Sequence, residues 1–215
     1  MFPVRRLFAV AAFLLLAACA AEDLTKPPKP IGNFALGYNI VVAKNAQKVG
    51  PSRDATAKEW EDAITAEIAR RTGRLQGDKL YHIGVGVDAY ALALPGVPVV
   101  FKPRSILSVT VNVWDDTAQR KVNAEPKRFT VFEPRSVENV IGSGITQSRE
   151  KQIQNLAVAL ARAIDKWLRE NEAWFTPEAA EARVALGAMG AAPSAATVAA
   201  ESAAGNPAAA PPPAN

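Results

Sequence analysis

Between Leu107 and Val113 every second residue is a large aliphatic one, and the residues between them, Ser108, Thr110 and Asn112, are small and polar. A period of two is the mark of a strand with one buried face; a helix repeats its faces every 3.6 residues or so. The chain must therefore build a sheet and cover one side of it. The run from Lys79 to Leu92 has the same pattern. Tyr81, Ile83, Val85, Val87 and Ala89 alternate with His82, Gly84, Gly86 and Asp88. The first set is expected in the core, and the small residues opposite imply a surface that a helix or a partner approaches closely.

Two more strands are expected. Phe34 to Lys44 is rich in Tyr38, Ile40, Val41 and Val42, and Gly37 inside it marks a bulge or a close approach. A last strand from about Arg120 to Phe132 is interrupted at Glu125-Pro126, because proline cannot donate to a ladder. Asp115, Asp116 and Thr117 make the turn before it.

Helices fill the gaps. One opens at Asp54 or Thr56. Thr56 and Glu59 have capping-box spacing, Trp60, Ile64 and Ile68 recur on one face, Glu67 and Arg71 form an i,i+4 pair, and Gly73 ends it. A longer helix, about Ser148 to Asn171, carries the stripe Ile153, Leu156, Ala157, Leu160, Ile164, Trp167 and Leu168. Pro177 suits the first position of a short third helix. Trp174-Phe175, where the domain ends, is a candidate docking knob. The order β-α-β-β-β-α predicts an α/β fold of the α+β type: a two-layer sandwich, with a mixed sheet of about four strands and two helices on one face. The open face, with Ser108, Thr110 and Asn112, is expected to be the more polar.

The first eighteen residues stand apart. Arg5 and Arg6 precede an apolar run of twelve residues, Leu7 to Ala18. This is the layout of a secretory signal and too short for a membrane span, which needs about 20 apolar residues. Leu16-Ala17-Ala18-Cys19 resembles the bacterial lipobox. That resemblance implies cleavage before Cys19, acylation of its thiol and new amino terminus with diacylglycerol and a fatty acid such as palmitate, and anchoring in a membrane. Ala20 after the cysteine implies sorting to the outer membrane. Cys19 is the only cysteine, so no intramolecular disulfide forms.

The expected organisation is a signal peptide over 1–18, a lipid-anchored proline-rich tether over 19–32, the sandwich over 33–175, a short helix over 176–190 and a disordered Ala/Pro-rich tail over 191–215. Without residues 1–18 the chain loses two arginines and no acid, leaving 23 basic and 21 acidic residues, a balance that argues against nucleic acid as a partner.

No catalytic set is visible. His82 is the only histidine, and reads as an exposed or hydrogen-bonded strand residue. No metal or cofactor is expected. Gly84-x-Gly86 and Gly142-x-Gly144 lack the remaining residues of phosphate-binding loops. The positive feature is a basic loop set: Lys102, Arg104, Arg120, Lys121, Lys127 and Arg128, with Arg135 beyond. Converging at one end of the sheet, these would contact anions or lipid: lipid A, phospholipid headgroups or peptidoglycan. The competing reading is a charged rim that blocks edge-to-edge pairing.

Lipobox, tether, β-α-β-β-β-α domain and low-complexity tail together resemble small Gram-negative envelope lipoproteins: those of lipopolysaccharide assembly, the auxiliaries of envelope transport and the activators of penicillin-binding proteins. The resemblance implies a periplasm-facing, non-enzymatic binding or assembly factor with an envelope protein partner. The alternative is a regulator of a peptidoglycan synthase or a peptidoglycan-binding structural lipoprotein.

Overall fold

The computed structural model describes Leu24 and residues 26–94, 104–134 and 147–190. Cys19, Lys102, Arg135, Gly142-x-Gly144, the signal segment and the 191–215 tail lie outside these residues. The elements are β1 (Phe34–Val42), β2 (Gln47–Lys48), α1 (Ala57–Thr72), β3 (Lys79–Ala91), β4 (Ile106–Asp115), β5 (Arg120–Lys121), β6 (Lys127–Phe132), α2 (Arg149–Glu170), a 3-10 turn (Glu172–Phe175) and α3 (Pro177–Gly190).

They form a mixed sheet, not closed into a barrel, with four lanes. β1 and β2 occupy one lane, both parallel to β3. β3 and β4 are the antiparallel centre. β5 and β6 share the outer lane, both antiparallel to β4. The expected fourth strand is thus two short ones, parted where Glu125-Pro126 withholds a donor. α1 carries the chain back so that β1 and β3 run parallel.

Both long helices lie on one face. Thr56 Oγ1 accepts from the Glu59 amide, and the Glu59 carboxylate accepts from the Thr56 amide, so the expected capping box is formed. Trp60, Ile64 and Ile68 of α1 and Leu156, Leu160, Ile164 and Leu168 of α2 meet Tyr81, Ile83, Val85, Val87, Leu107, Val109, Val111 and Val113 in one core.

Four expectations are corrected. Glu67 pairs with Arg70, one residue nearer than Arg71, and also accepts from Gln154 of α2. A register shift between Val87 and Ala89 moves Tyr90 into the core in place of Ala89. Trp174-Phe175 is not a docking knob. Phe175 is fully buried against Phe34 and Tyr81, ring centroids 5.1 and 4.9 Å away, and Trp174 packs on Trp167. Lastly, β1 makes the open face less polar than its β4 residues imply.

In β1 every even position from Phe34 to Val42 is apolar. An unbroken strand would send all five to the core. A register shift between Leu36 and Asn39 prevents this, since one extra residue reverses the side on which all later residues fall. Phe34 and Leu36 stay with the core, while Tyr38, Ile40 and Val42 turn to the open face, 71 %, 59 % and 48 % exposed. The open face is therefore apolar along one flank rather than uniformly polar.

The domain starts earlier than residue 33. Ile31 is in the core, Gly32 takes φ +49° where a Cβ would strike the Phe175 backbone, and its amide donates to Glu172. Further back, Arg169 donates to the Lys29 carbonyl at 2.9 Å and Arg74 to that of Lys26. From Lys26 on, the chain lies along the domain. At the same end of the sheet α3 is fixed by Arg183, which donates to buried Asp115 at 2.9 Å and to the Tyr81 hydroxyl at 3.2 Å. Burial pushes the Tyr81 hydroxyl above its ordinary pKa, against the opposing pull of Arg183.

Candidate functional site: the open face of the sheet

His82 holds the β1 irregularity in place. Its Nδ1 accepts from the Tyr38 amide at 2.9 Å, which leaves the ring proton on Nε2 to donate to Asp116 Oδ1 at 2.9 Å. The ring occupies the space a Cβ at position 37 would need, 2.5 Å away, so Gly37 and His82 require one another. Tyr38 leans over the imidazole, centroids 5.2 Å apart. This is the hydrogen-bonded strand histidine expected from the sequence, and what it does is set the direction of Tyr38, Ile40 and Val42.

These three side chains form one wall of a shallow depression of about 420 Å³, with Asn112 and Trp114 of β4 opposite. Its floor is β3 from His82 to Gly86. A Cβ at Gly84 would meet nothing nearer than the Asn112 carbonyl at 4.0 Å, and one at Gly86 nothing nearer than that of Thr110 at 3.9 Å. Nothing among the described residues requires glycine there. Each glycine in a regular element costs about 0.5–1 kcal/mol relative to alanine. The fold gains no contact in return, and what the glycines provide is depth.

The basic set is divided by this geometry. Lys121 stands opposite Trp114 and Arg128 opposite Thr110, both on the open face beside the depression. Arg104 lies at the other end of β4, over the exposed Phe132 ring at 5.3 Å, and donates to the Glu133 carbonyl. Arg120 pairs with Asp115 in register, one position off the open-face row. Lys127 sits over Phe129, whose ring packs on Trp167 on the helix side. The described members do not converge at one end, and Lys121 and Arg128 are the two beside the depression. Of the acids here, Asp116 is bonded to His82, and Asp88 accepts from Thr110 with Arg128 at 3.9 Å.

Among the described residues no cluster of three or more His, Cys, Asp or Glu is placed to hold a metal ion. No described helix is long and apolar enough to cross a membrane. The sequence pointed to the glycines and to an irregularity at Gly37, but not to the wall they face, because the direction in which β1 reverses is set by the His82 ring.

No family model and no curated protein matches the sequence. Similar solved structures include a candidate lipoprotein of Caulobacter crescentus, 15 % identical, covering 62 % of this chain and 94 % of that one with a TM-score of 0.36. Others are the minor lipoprotein of Acinetobacter baumannii, at 16 % identity, 64 % and 92 % coverage and a TM-score of 0.29, and the PelC dodecamer of Paraburkholderia phytofirmans, at 10 % identity, 61 % and 88 % coverage and a TM-score of 0.33. Scores at this level establish neither a shared family nor a shared activity.

Proposed function

We propose that this chain is a Gram-negative envelope lipoprotein, acylated on Cys19, held in the outer membrane with its domain facing the periplasm, and acting as a non-enzymatic binding or assembly factor. The observation that carries the reading is the sequence Leu16-Ala17-Ala18-Cys19 closing a twelve-residue apolar run that follows Arg5-Arg6. Two features of the fold support it. Among the described residues the core begins at Ile31, twelve positions after Cys19, which suits a cut before that cysteine. The single histidine has both ring nitrogens engaged in bracing the sheet, which favours a surface over a catalytic centre. The surface offered is the open face.

The test is expression of the whole chain in a Gram-negative host, with mass measurement of the mature amino-terminal peptide and fractionation of the membranes. The expected peptide starts at a triacylated Cys19 and the protein sediments with outer membranes. Normal cleavage and membrane retention of Cys19→Ser would overturn the reading.

A further inference from the structure

We infer that the depression on the open face is a seat for one acyl chain of an anionic phospholipid, with Lys121 and Arg128 beside it for the phosphate. The inference deepens the lipoprotein reading and rests on it for the nearness of a bilayer.

Shape is the first argument. The floor from His82 to Gly86 spans four residue steps, about 13 Å of strand. One leaflet of a bilayer offers acyl chains about 15 Å deep, half of the hydrocarbon core. The wall of Tyr38, Ile40 and Val42 and the Trp114 ring opposite present carbon to an occupant, and the glycines let that occupant lie on the backbone.

Charge is the second. Both acids at the depression are bonded within the domain, Asp116 to His82 and Asp88 to Thr110, and Arg128, 3.9 Å from Asp88, is three-quarters exposed and open to a second anion. Lys121 has no acidic side chain within salt-bridge reach among the described residues. A carbon-lined groove with cations along one side suits an anionic amphiphile. Tyr38 and Trp114 are the residue types that sit where hydrocarbon meets headgroups.

Position is the third. Leu80, Trp114 and Lys121 lie at the end of the sheet where β1 begins and β4 finishes. The tether lies along this same end, through Arg74 and Arg169. Seven residue steps separate Lys26 from Cys19, at most about 25 Å of chain. An acyl anchor at Cys19 therefore keeps this end of the domain within reach of lipid.

The experiment uses the mature chain, residues 19–215, carrying Cys19→Ser, so that binding cannot come from the anchor. It is mixed with vesicles of phosphatidylethanolamine and phosphatidylglycerol, the latter brominated along one acyl chain, and with vesicles of phosphatidylcholine alone. Tryptophan quenching by the brominated chain is expected, and Trp114→Phe is expected to remove most of it, since Trp60 is buried under the helices and Trp167 and Trp174 pack on each other. Gly84→Ala with Gly86→Ala raises the floor, with each added Cβ no nearer than 3.9 Å to any neighbour, and is expected to weaken binding about tenfold or more. Lys121→Gln and Arg128→Gln are each expected to cost about fivefold and to reduce the preference for phosphatidylglycerol. Quenching unchanged by the glycine substitutions, or absent from the parent, would sink the proposal. So would a concentration-dependent dimer without vesicle binding that the same substitutions dissolve, which assigns the face to a second copy of the chain. Because the anchor plays no part, failure here leaves the Cys19 reading standing, and failure of acylation leaves this result standing.

Discussion

β3 and β4 present one backbone to two surroundings, and the residues on the two sides obey different rules. Toward the helices stand Tyr81, Ile83, Val85 and Val87, with Leu107, Val109, Val111 and Val113 beside them, all buried. Away from the helices stand His82, Gly84, Gly86 and Asn112, with Thr110 in register opposite Gly86, while β1 adds Tyr38, Ile40 and Val42. Where the chain supplies its own cover, side chains are large and interlock. Where it does not, β3 shrinks to glycine and a neighbouring strand contributes exposed carbon. A face left only to water has no need of either, for polar residues of ordinary size would make the strand more stable.

The largest expected loss lies on the covered side, at the end of the sheet where α3 is fixed. Arg183→Ala leaves the Asp115 carboxylate buried without its guanidinium. Removing one partner of a buried pair costs about 3–5 kcal/mol, and urea unfolding should show a loss of that size. A second comparison sets one truncation on each side. Leu107→Ala, in the core, is expected to cost about 2–5 kcal/mol. Ile40→Ala, on the open face, should stay within about 0.5 kcal/mol, so an equal loss at the two sites would show that the open face is covered in solution.

The smallest effect concerns the capping of the cover itself. Hydrogen bonding from the Thr56 amide holds the Glu59 carboxyl below the ordinary carboxylate range, with a further contribution from Arg149 at the start of α2. Folded protein then binds fewer protons than unfolded protein across that interval. The contribution is fully present above the unfolded value and is lost as pH falls through the lowered folded one. Glu59→Gln should flatten the acid side of a stability-versus-pH curve and leave open-face binding unchanged.

Much of this was legible in the residues. Alternation located β3 and β4, the Thr56/Glu59 spacing located the start of α1, and the stripe from Ile153 to Leu168 located α2. Each is a local pattern with a local cause. What escaped was decided between elements. The partner of Glu67 depends on where α2 lies. The burial of Phe175 depends on Phe34 and Tyr81 arriving from far along the chain. The reversal in β1 depends on His82, forty-four positions beyond Tyr38, taking up its amide. Gly37 was a visible signal, but its meaning lay in the ring packed against it. The basic residues are near one another in sequence only; a strand the length of β4 places its ends about 30 Å apart, which is why Arg104 and Lys121 do not meet.

With Lys26 and Lys29 fastened to Arg74 and Arg169, the leash from the proposed anchor at Cys19 is short, and a short leash fixes concentration as much as place. A site held this near its ligand experiences it at an effective concentration on the order of millimolar. Occupancy then requires little intrinsic affinity, and a weakly held molecule can also leave quickly. For the lipid seat proposed above, a shallow, open depression, poor as a trap, suits repeated brief exchange at a membrane surface.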